Sequence, residues 1–574
     1  MNHLISPHGD TLVDGVAGEA RVAELKQISL DWPSHSLTSG QLCDLELMLN
    51  GGYSPLAGFM GAAEHHSVCA DMRLPDGTLW PLPVTLDVPE DLADGVTPGD
   101  VVALRDPEGV MVAAVTVEEV WEPDRGAEVA AFFGTEDRGR EDVAAYLRNG
   151  LRWAIAGPVE GVQLPVHHDY RELRLTPLQL RRRFARLGWR RVLAFQTHQT
   201  VHRAQQALTE HSAQDLAANL LIHPVVGHSR PGDPDYYTRV RCYQALLDHY
   251  PKDMARLSLL PLATRGAGAR EAVLQAIVHK NHGCTHFMVD HGRGGSVLEV
   301  NGAPTYDPDE ALALVERHID ELQIAMVPYR EMAYAERERR FVPVDEDAVS
   351  SGLETVSGVE IRERLASGRG LPEWFTFPAV ERELRRRHPP RHAQGFTLFF
   401  TGLSGAGKST IANAVRVKLM ELGGRGVTLL DGDLVRRNLS SELGFSREHR
   451  DLNIYRIGFV ASEITRAGGV AICAPIAPYD AVRRHVRETI EPWGGFILVH
   501  VATPLDVCEG RDRKGMYAKA RAGLVKEFTG ISDPYEEPTD AELVIDTALV
   551  TPEEATREVL LYLERQGYIA AAAG

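Results

Sequence analysis

A chain of 574 residues is too long to fold around one hydrophobic core and predicts about three or four folding units. An apolar fraction of 44% and a charged fraction of 25% are ordinary for a soluble globular protein, and no run of about 18 apolar residues predicts a membrane span. The net charge of −19, from 61 basic and 80 acidic residues, argues against nucleic acid or an anionic membrane as the main partner.

The six cysteines are scattered without a Cys-x-x-Cys pair, so neither a disulfide framework nor a Cys-based zinc site is expected. The N-terminal residues 1–8 lack the charged and apolar regions of a signal peptide. We therefore expect reduced thiols and a cytoplasmic location.

Residues 1–165 are predicted to form a mostly β domain. Short apolar runs at 82–88 and 101–104 alternate with Pro, Gly and Asp. One helix is expected at 38–49, because two glycines at 51–52 follow it as a stop signal. No residue pattern in this domain points to catalysis.

Residues 166–340 are predicted to form an α/β domain. Thr176 is a good N-cap and Pro177 suits the first position of a helix, whose basic residues at 181–183 are interpreted as a solvated face. Strand-like runs at 191–195, 220–226 and 285–289 alternate with helices, which indicates a parallel sheet. The polar turn at 196–202 follows the carboxyl end of the first strand, where such sheets bind ligands.

Residues 341–393 are predicted to form a small junction subdomain. Its prolines, at 372, 378 and 389–390, are typical of linkers. The basic run at 385–388 is expected to pair with acidic neighbours.

Residues 394–574 are predicted to form a second α/β domain with a parallel five-stranded sheet. Helices join the expected strands, which lie at 396–400, 427–430, 470–473, 496–501 and 543–545. The amphipathic helix after the first strand is expected to end at Gly423 and to bury one face, formed by Ile411, Val415, Leu419 and Leu422.

Between that strand and that helix lies Gly-Leu-Ser-Gly-Ala-Gly-Lys-Ser, residues 402–409, which contains the phosphate-binding pattern Gly-x4-Gly-Lys-Ser. Glycines let backbone N–H groups approach phosphate oxygens, and the helix N-terminus adds partial positive charge. Lys408 is expected to reach the β- and γ-phosphates and Ser409 to bind Mg²⁺. The predicted ATP-binding residues are Gly402, Ser404, Gly405, Ala406, Gly407, Lys408, Ser409 and Thr410.

Two carboxylates, Asp431 and Asp433, follow the second strand of this domain. Beside a phosphate loop, such groups can bind a metal and remove a proton from an attacking hydroxyl. The downstream arginines suit an anionic acceptor, and the basic segment 508–515 is interpreted as a mobile lid. The sequence therefore predicts phosphoryl transfer from a nucleoside triphosphate.

Residues 394–550 resemble adenylylsulfate (APS) kinase, which transfers the γ-phosphate of ATP to the 3′-hydroxyl of APS and forms PAPS. The resembling stretches are 402–410, 431–436, 443–446, 450–454, 514–521, 526–530 and 533–538. The resemblance implies that Asp433 assists deprotonation of the 3′-hydroxyl, that Asp431 positions metal or substrate, and that Lys514 belongs to the lid. The residues it implies for APS binding are Arg436, Phe445, Arg450, Asn453, Ile476 and Phe528. One departure is Ala477, where the family commonly has serine, so phosphoserine chemistry is excluded there.

Residues 1–390 resemble ATP sulfurylase, which makes APS and pyrophosphate from ATP and sulfate. The resembling stretches are 51–60, 80–87, 173–177, 223–227, 280–281 and 372–375. The resemblance implies a PUA-like N-terminal domain followed by a Rossmann-like nucleotidyltransferase domain. Fused to an APS kinase, this region would complete two-step sulfate activation.

The catalytic motifs of the sulfurylase family are altered in this chain. The family loop reads Gln-Thr-Arg-Asn-Pro-x-His-x-x-His; residues retained here are Gln196, Thr197 and His202, and residues replaced include His198, Gln199 and Gln205. A permanently charged guanidinium suits sulfate, whereas an imidazole is mostly neutral near pH 7. A second family loop, Val-Gly-Arg-Asp-His-Ala-Gly-Pro-Gly, is shortened at 289–295, which keeps Asp290 and His291 but lacks the arginine between Gly and Asp.

We therefore expect an active APS kinase with a sulfurylase-like region of little or no activity. One alternative is a fully bifunctional enzyme in which Arg293 compensates; another makes the N-terminal region an oligomerisation scaffold or an APS- or PAPS-binding regulatory module. A regulatory kinase domain beside an active sulfurylase is disfavoured by the intact phosphate loop. Mg²⁺ with ATP is the expected cofactor, without a tightly bound organic cofactor, and ATP and APS are the expected partners. The resemblance also implies a homo-oligomer, either a dimer or a hexamer.

Overall fold

The computed structural model describes residues 4–134, 137–197, 199–226, 236–289, 299–300, 303–304, 308–344, 353–354, 356–387, 389–444, 446–512, 515–525 and 527–569. The chain divides into two compact units, residues 1–362 with 371–387, and residues 363–370 with 388–574.

The helices are α1 (Glu19–Ile28), α2 (Ser39–Asn50), α3 (Ala62–Asp71), α4 (Glu90–Gly95), α5 (Arg125–Phe133), α6 (Glu141–Asn149), α7 (Pro177–Leu187), α8 (Arg203–Asp215), α9 (Tyr236–Leu247), α10 (Gly268–Asn281), α11 (Pro308–Arg317), α12 (Ile319–Leu322), α13 (Gly358–Ala366), α14 (Pro378–Arg387), α15 (Lys408–Leu422), α16 (Gly432–Asn438), α17 (Arg447–Arg466), α18 (Asp480–Ile490), α19 (Leu505–Arg511), α20 (Met516–Arg521) and α21 (Pro552–Arg565). The strands are β1 (Ser34–Ser36), β2 (Gly58–Phe59), β3 (Leu86–Val88), β4 (Val101–Arg105), β5 (Met111–Thr116), β6 (Glu119–Trp121), β7 (Trp153–Gly161), β8 (Val192–Gln196), β9 (Asn219–Ile222), β10 (Ala255–Leu257), β11 (His286–Val289), β12 (Glu299–Val300), β13 (Ala303–Pro304), β14 (Ala325–Met326), β15 (Met332–Ala335), β16 (Arg340–Pro343), β17 (Leu353–Glu354), β18 (Phe396–Thr401), β19 (Val427–Asp431), β20 (Val470–Ala474), β21 (Gly495–Val501) and β22 (Leu543–Ile545).

The N-terminal part of the first unit is built on a seven-stranded sheet. Strands β1, β4, β5, β7 and β2 lie in that order, and β3 and β6 also pair with β7. The helix predicted at 38–49 is confirmed as α2: the side chain of Thr38 accepts a hydrogen bond from the backbone N of Gln41, and Gly51 ends the helix with a φ of 86°. Helices α1 and α3 to α6 were not predicted from the sequence.

The second part of the first unit contains the predicted parallel sheet. Its strands lie in the order β10, β9, β8, β11, β14, and each neighbouring pair is parallel. Helix α7 begins as predicted, because Thr176 accepts from the backbone N of Gln179 and Pro177 occupies the first position. One buried apolar cluster includes residues of both this sheet and the N-terminal sheet, so the two parts share a core.

The basic face of α7 is only partly solvated. Arg182 and Arg183 are exposed, as predicted. The prediction is wrong for Arg181, whose half-buried guanidinium donates to three backbone carbonyls at 2.6–2.7 Å, those of Ile5, Lys280 and Asn281. These acceptors compensate for the removal of the charge from water.

A small antiparallel sheet, in which β15 lies between β16 and β17, extends across the predicted boundary between residues 340 and 341. Helix α14 follows and carries the basic run. Arg385 pairs with Glu381 at 2.9 Å and Arg386 with Glu383 at 2.7 Å, which confirms the predicted pairing for these two arginines.

The second unit contains the predicted five-stranded parallel sheet, in the order β19, β20, β18, β21, β22. Alternate residues of β18 face opposite sides: Phe396, Leu398 and Phe400 pack with α15 and α21, whereas Phe399 packs with α17 and α18. Both faces are therefore covered, which explains the continuous apolar runs of the strands.

Helix α15 buries Ile411, Val415 and Leu419, as its spacing predicts. The prediction is wrong for Leu422, which is 55% exposed and lies outside the apolar cluster. Leu422 belongs to the last turn, immediately before Gly423 ends the helix, so helical spacing continues there without a neighbour to pack against.

Within the described ranges, no helix is both long and apolar enough to cross a membrane. All six cysteines occupy described positions, and each is a free thiol. The same residues include no group of three His, Cys, Asp or Glu side chains arranged to hold a metal ion.

Candidate functional site

The phosphate loop connects the carboxyl end of β18 to the first turn of α15. Gly402 has a φ of 143° and lies against β21, where a Cβ atom would meet the backbone O of Val501 at 2.5 Å. Gly407 precedes α15 with a φ of 104°. Both positions require glycine for conformational reasons. The loop therefore lies at the positively polarised N-terminus of a 15-residue helix.

Lys408 is the first residue of α15 and is only 7% exposed. Its Nζ donates to the carbonyl oxygens of Gly402, at 2.9 Å, and Leu403, at 2.7 Å. The ammonium group thus lies against the loop itself, where its burial is compensated by hydrogen bonds. Phosphate oxygens carry more negative charge than these carbonyls and can replace them as acceptors.

Ser409 lies beside the carboxyl end of β19. Its hydroxyl donates to Oδ2 of Asp431 at 2.9 Å. A hydroxyl and a carboxylate oxygen are ligands that Mg²⁺ prefers when it also binds nucleotide phosphates, so this donor set fits the predicted ion. Asp433 is the second residue of α16, and its side chain lies outside the described part of the structure.

A cavity of about 640 Å³ lies between the phosphate loop and α17, a size typical of ligand sites. The predicted site residues that line it are Ser404, Gly405, Gly407, Lys408, Ser409, Thr410, Asp431, Arg436, Arg450, Asn453 and Ile476. Ala406 is fully buried, and Phe528 instead contacts the ring of Tyr517, with the centroids 5.0 Å apart. Phe445 and Lys514 lie outside the described residues.

Arg450 is held at the cavity wall by three side chains from two other segments of the chain. Its Nη1 lies 2.9 Å from the hydroxyl of Thr529 and 3.0 Å from Oδ2 of Asp533, and its Nη2 donates to the hydroxyl of Tyr479 at 3.0 Å. The hydroxyl of Tyr479 in turn donates to Asp533 at 2.7 Å. Burial, and then the hydrogen bond to Asp533, raises the pKa of Tyr479 to about 12, so the phenol keeps its proton at neutral pH.

Asn453 lies one helical turn beyond Arg450 on the same face of α17. It is 4% exposed, and among the described residues its Oδ1 has no hydrogen-bond partner. A buried carboxamide oxygen that lines a cavity without a partner indicates a ligand that donates a hydrogen bond there. Arg436 also lines the cavity, and its Nη1 donates to the backbone O of Gly444 at 3.0 Å.

The family resemblance assigns Arg450 to APS binding. Its substitution by lysine is therefore expected to raise the KM for APS about 10- to 100-fold, or roughly 1.4–2.8 kcal/mol, because an ammonium cannot reproduce the planar guanidinium contacts. The KM for ATP should change less than about 2-fold, since the predicted ATP-binding loop lies between β18 and α15, away from α17. Initial-rate kinetics with each substrate varied in turn measure both constants. Arg466→Lys, at the exposed end of the same helix, is the matched control, and an equal rise in both KM values would contradict the assignment.

The carbonyl groups of the phosphate loop are held by side chains that were not predicted from the sequence. The hydroxyls of Thr503 and Thr547 both donate to the backbone O of Ala406, at 3.0 and 2.8 Å. The hydroxyl of Tyr517 donates to the backbone O of Ser404 at 2.9 Å. Arg511, in the predicted lid, donates to Thr547 at 2.7 Å, so this part of the lid is anchored to the loop.

The segment with the departure from the APS kinase pattern forms another wall of the cavity. The hydroxyl of Thr401 donates to the backbone O of Ile476 at 2.6 Å, and Arg483 donates to the backbone O of Ala477 at 2.8 Å. Ala477 is buried and has a φ of 46°, which is uncommon for a residue other than glycine. The Ala477 methyl group therefore only fills space, and the hydrogen bonds of this segment are accepted by the backbone carbonyls of Ile476 and Ala477.

The residues of the altered sulfurylase motif lie between β8 and the first turn of α8. His202 is buried, contacts the hydroxyl of Thr376 at 3.0 Å and lies against the ring of Phe375. Burial lowers the pKa of His202 to about 4, so it is neutral at pH 7. The side chain of Gln205 accepts from the backbone N of His202 at 3.0 Å, which commits it to capping α8.

Two further residues of this motif, Thr197 and Gln199, make hydrogen bonds within the protein. Thr197 is buried, and its hydroxyl accepts from the backbone N of Gln199 at 3.0 Å. The backbone O of Gln199 accepts from the hydroxyl of Tyr243. Other predicted members of this site lie outside the described residues, namely His198, Asp290 and His291.

Three buried histidines lie next to Gln196 and were not predicted as site residues. His279 contacts Oε1 of Gln196 at 3.0 Å and Nδ1 of His223 at 3.4 Å, and the ring centroids of His223 and His282 are 5.0 Å apart. Burial lowers the pKa of His279 to about 3, that of His282 to about 4, and that of His223 well below its ordinary value. The cluster is therefore uncharged at neutral pH.

Family comparisons match three consecutive parts of the chain. Residues 5–164 match a PUA-like domain, residues 171–387 ATP-sulfurylase, and residues 394–546 adenylylsulphate kinase. These matches confirm the predicted fusion and the predicted fold class.

Similar proteins extend over the whole chain. The sulfate adenylyltransferase of Phaeosphaeria nodorum is 48% identical over 567 residues, which cover 98% of this chain and 99% of that protein. The sulfate adenylyltransferase of Mycosarcoma maydis is 47% identical over 573 residues, which cover 98% and 100%. Among solved structures, the hexameric APS kinase from Thiobacillus denitrificans is 42% identical, covers 99% of this chain and 100% of its own, and superimposes with a TM-score of 0.80.

Proposed function

This chain belongs to the sulfate adenylyltransferase family, in which an ATP sulfurylase region and an APS kinase region share one polypeptide, and we propose that it acts as an APS kinase. The reaction moves the γ-phosphate of ATP to the 3′-hydroxyl of APS and releases ADP and PAPS. The observation that carries the proposal is one shared cavity. Lys408 and Ser409 line it from the phosphate loop, while Arg450 and Asn453 line it from α17.

The donor half of the cavity fits a triphosphate. Backbone N–H groups of the loop and the N-terminus of α15 attract its oxygens. Lys408 exchanges its two carbonyl acceptors for β- and γ-phosphate oxygens and neutralises charge that develops as the bond to the γ-phosphorus breaks. Ser409 and Asp431 hold Mg²⁺, which supplies further charge neutralisation when it is bound with ATP.

The acceptor half fits a sulfated nucleotide. Arg450 and Arg436 present positive charge to the phosphosulfate, and Oδ1 of Asn453 accepts a hydrogen bond from a ribose hydroxyl. Asp433 directly follows Asp431 and Gly432 at the same end of the sheet, so we assign it the removal of the proton from the 3′-hydroxyl. The 3′-oxygen then bonds to the γ-phosphorus, and the bond from that phosphorus to the β,γ-bridging oxygen breaks.

Purified full-length protein tests this assignment. With ATP, MgCl₂ and APS, it should form ADP and a 3′-phosphorylated product in equal amounts, as resolved by anion-exchange chromatography. With 3′-deoxy-APS as the acceptor, no phosphorylated nucleotide should form. Release of ADP that is independent of APS would contradict the proposal, because it would show hydrolysis of ATP without an acceptor.

We also propose that the sulfurylase-like region has little or no activity. His202 is neutral and packed against Thr376 and Phe375, and Gln205 is committed to a helix cap. Neither side chain can supply the positive charge that an attack of sulfate on the α-phosphate requires. The fungal relatives are named sulfate adenylyltransferases, which favours the bifunctional alternative; the bacterial relative, which aligns over its full length, is named an APS kinase.

Pyrophosphate release from ATP and sulfate distinguishes these alternatives on the same preparation. We expect a rate at least about 10²-fold below the APS kinase rate, which corresponds to the loss of one charged stabilising group. A rate equal to the kinase rate would contradict the loss of activity. The triple variant His198→Arg, Gln199→Asn, Gln205→His restores the arginine, the asparagine and the second histidine of the family motif. A gain in rate would assign the defect to this loop, and no gain would implicate the shortened loop at 289–295.

We propose that the chain is a homo-oligomer. The relative from Thiobacillus denitrificans is described as hexameric and aligns with this chain from end to end with a TM-score of 0.80. Light scattering on the purified chain, whose monomer mass is 63.2 kDa, measures the number of copies directly.

A further inference from the structure

A cavity of about 170 Å³ lies in the first unit, where its two parts meet. Helix α2 of the N-terminal part contributes Glu46 and Asn50 to its wall. Other walls come from the segment 164–176, which joins the two parts, and from His282, which directly follows α10. The volume is below the roughly 300–1,000 Å³ typical of sites for drug-sized ligands, and it is several times the roughly 30 Å³ of one water molecule. The cavity therefore suits a small molecule.

His282 lines this cavity and has one ring nitrogen without a partner. The residue is 1% exposed, and its Nδ1 donates to the backbone O of Val278 at 2.8 Å. A carbonyl oxygen only accepts, so this contact places the ring proton on Nδ1 and leaves Nε2 with a lone pair. Among the described residues, no group donates to Nε2. A buried acceptor that lines a cavity without a donor indicates a ligand that supplies one.

Glu46 supplies negative charge to the same cavity. The residue is 8% exposed, and its Oε2 accepts from Nε2 of His167 at 2.8 Å. Within the described part of the chain, no residue donates to its Oε1. Two acceptors on the wall of one small cavity, Oε1 of Glu46 and Nε2 of His282, are thus within reach of a single molecule. An ammonium group suits them, because it carries three N–H donors and no acceptor.

Two arginines supply positive charge to this cavity. The side chain of Arg174 is 10% exposed, and its Nη2 donates to Oδ2 of Asp169 at 2.9 Å. Its Nη1 has no acceptor among the described residues. Arg171 is exposed, and its Nε donates to the backbone O of His167 at 2.8 Å. A carboxylate suits the remaining N–H groups, because guanidinium and carboxylate form charge-assisted hydrogen bonds.

The rest of the wall is mostly apolar. It is formed by three leucines and two prolines, namely Leu164, Leu175, Leu259, Pro165 and Pro261. A carboxylate acceptor, a guanidinium donor and an apolar surface around one small volume match the ammonium, the carboxylate and the side chain of an apolar α-amino acid. An inorganic anion would use the arginines alone, would be repelled by Glu46 and would leave His282 without a donor.

We propose that this cavity is a binding site for a small apolar α-amino acid. The carboxylate of the ligand binds Arg174, the ammonium binds Glu46 and His282, and the side chain packs against the leucines and prolines. The ligand then bridges α2 and the segment 164–176, so binding stabilises the first unit. This site goes beyond the proposed kinase function and does not depend on it.

Isothermal titration calorimetry on the full-length protein tests the proposal, with L-valine, L-leucine and L-methionine as separate probes. At least one of them should bind at one site per chain with a Kd below about 1 mM. For that amino acid, the analogue that lacks the carboxylate and the analogue that lacks the ammonium should each bind at least about 10-fold more weakly. Absence of binding by all three probes, equal binding of either analogue, or displacement of the amino acid by sodium sulfate overturns the proposal.

Two substitutions locate the binding site. Glu46→Gln keeps the shape of the side chain and removes its charge, and Arg174→Gln removes the guanidinium; each should raise the Kd at least about 10-fold. Glu160→Gln is the matched control, because Glu160 is an exposed carboxylate of the same unit that accepts from Arg21 at 2.9 Å. It should retain the wild-type Kd. An unchanged Kd for Glu46→Gln, or an equal rise for Glu160→Gln, overturns the assignment to this cavity.

A measurement on the wild-type chain does not depend on the folding of any variant. The amino acid that binds should raise the midpoint of thermal unfolding as its concentration increases, because it binds only the folded first unit. The two analogues, at the same concentrations, should leave the midpoint unchanged. A midpoint that does not move with the amino acid, or that moves equally with an analogue, overturns the proposal.

Discussion

Replacement of Lys408 by alanine is expected to lower kcat for ATP-dependent phosphorylation of APS at least about 10³-fold, equivalent to about 4 kcal/mol of transition-state stabilisation. Lys408 is the buried cation of the phosphate loop, and its Nζ lies within 2.9 Å of two loop carbonyls. Alanine leaves those carbonyls without their donor and leaves the transferring phosphoryl group without its nearest positive charge.

The matched control is Lys418→Ala. Lys418 lies on the same helix, is exposed, and pairs with Glu421 at 2.8 Å, so its removal changes net charge by the same amount. Surface pairs of this kind contribute about 0–1 kcal/mol, so kcat should stay within about 2-fold of wild type. Coupled detection of ADP in the presence of APS gives both rates. Full activity of Lys408→Ala, with the wild-type fold by circular dichroism, would contradict the role of the loop.

Substitution of Asp431 by asparagine is expected to lower kcat about 10²- to 10³-fold. Asp431 accepts a hydrogen bond from Ser409 at 2.9 Å, and together they supply the carboxylate and hydroxyl oxygens of the predicted Mg²⁺ site. Asparagine keeps the shape and loses the charge. The concentration of MgCl₂ that gives half-maximal rate should therefore rise, which a purely structural role would not produce.

A double-mutant cycle with Ser409→Ala sharpens this prediction. Since both residues act on one ion, the loss in the double variant should be well below the sum of the two single losses, with a coupling energy of about 1–3 kcal/mol. Asp506→Asn, an exposed carboxylate in the first turn of α19, is the control and should retain wild-type kinetics. Additive losses at Ser409 and Asp431 would show that the two residues act independently.

Local signals in the sequence were sufficient for much of the fold. Thr176 caps its helix as predicted, the helix expected at 38–49 is present, and so are the first and last strands expected in the phosphate-loop domain. These features depend on residues only a few positions apart, so their hydrogen bonds follow from the sequence alone. The same reasoning failed where residues distant in the sequence determine whether a side chain is exposed. Arg181 was predicted to be solvated, but its guanidinium donates to three backbone carbonyls that are remote in the sequence.

The candidate site was predicted in part. The loop from Gly402 to Ser409 was identified because its chemistry and spacing are contiguous in the sequence. The supports of the loop, Thr503, Thr547 and Tyr517, could not be identified, because a threonine or tyrosine has many ordinary roles and these lie about a hundred or more positions away. The same holds for Tyr479, which joins Arg450 to Asp533.

For the sulfurylase-like region, the sequence determined which charged groups had been replaced, at His198 and Gln205. Only the tertiary structure determined the charge state of the retained His202. This side chain is neutral because it is buried against Thr376 and Phe375, residues more than 170 positions away. For the kinase, the sequence determined the phosphate loop, and the family resemblance singled out Arg450 and Asn453 as candidate APS-binding residues. The tertiary structure decided the contacts that hold Arg450 at the cavity wall. The physical reason is the same in both cases: helix periodicity and motif spacing are local, whereas burial, and with it charge state and exposure, depends on segments that only folding brings together.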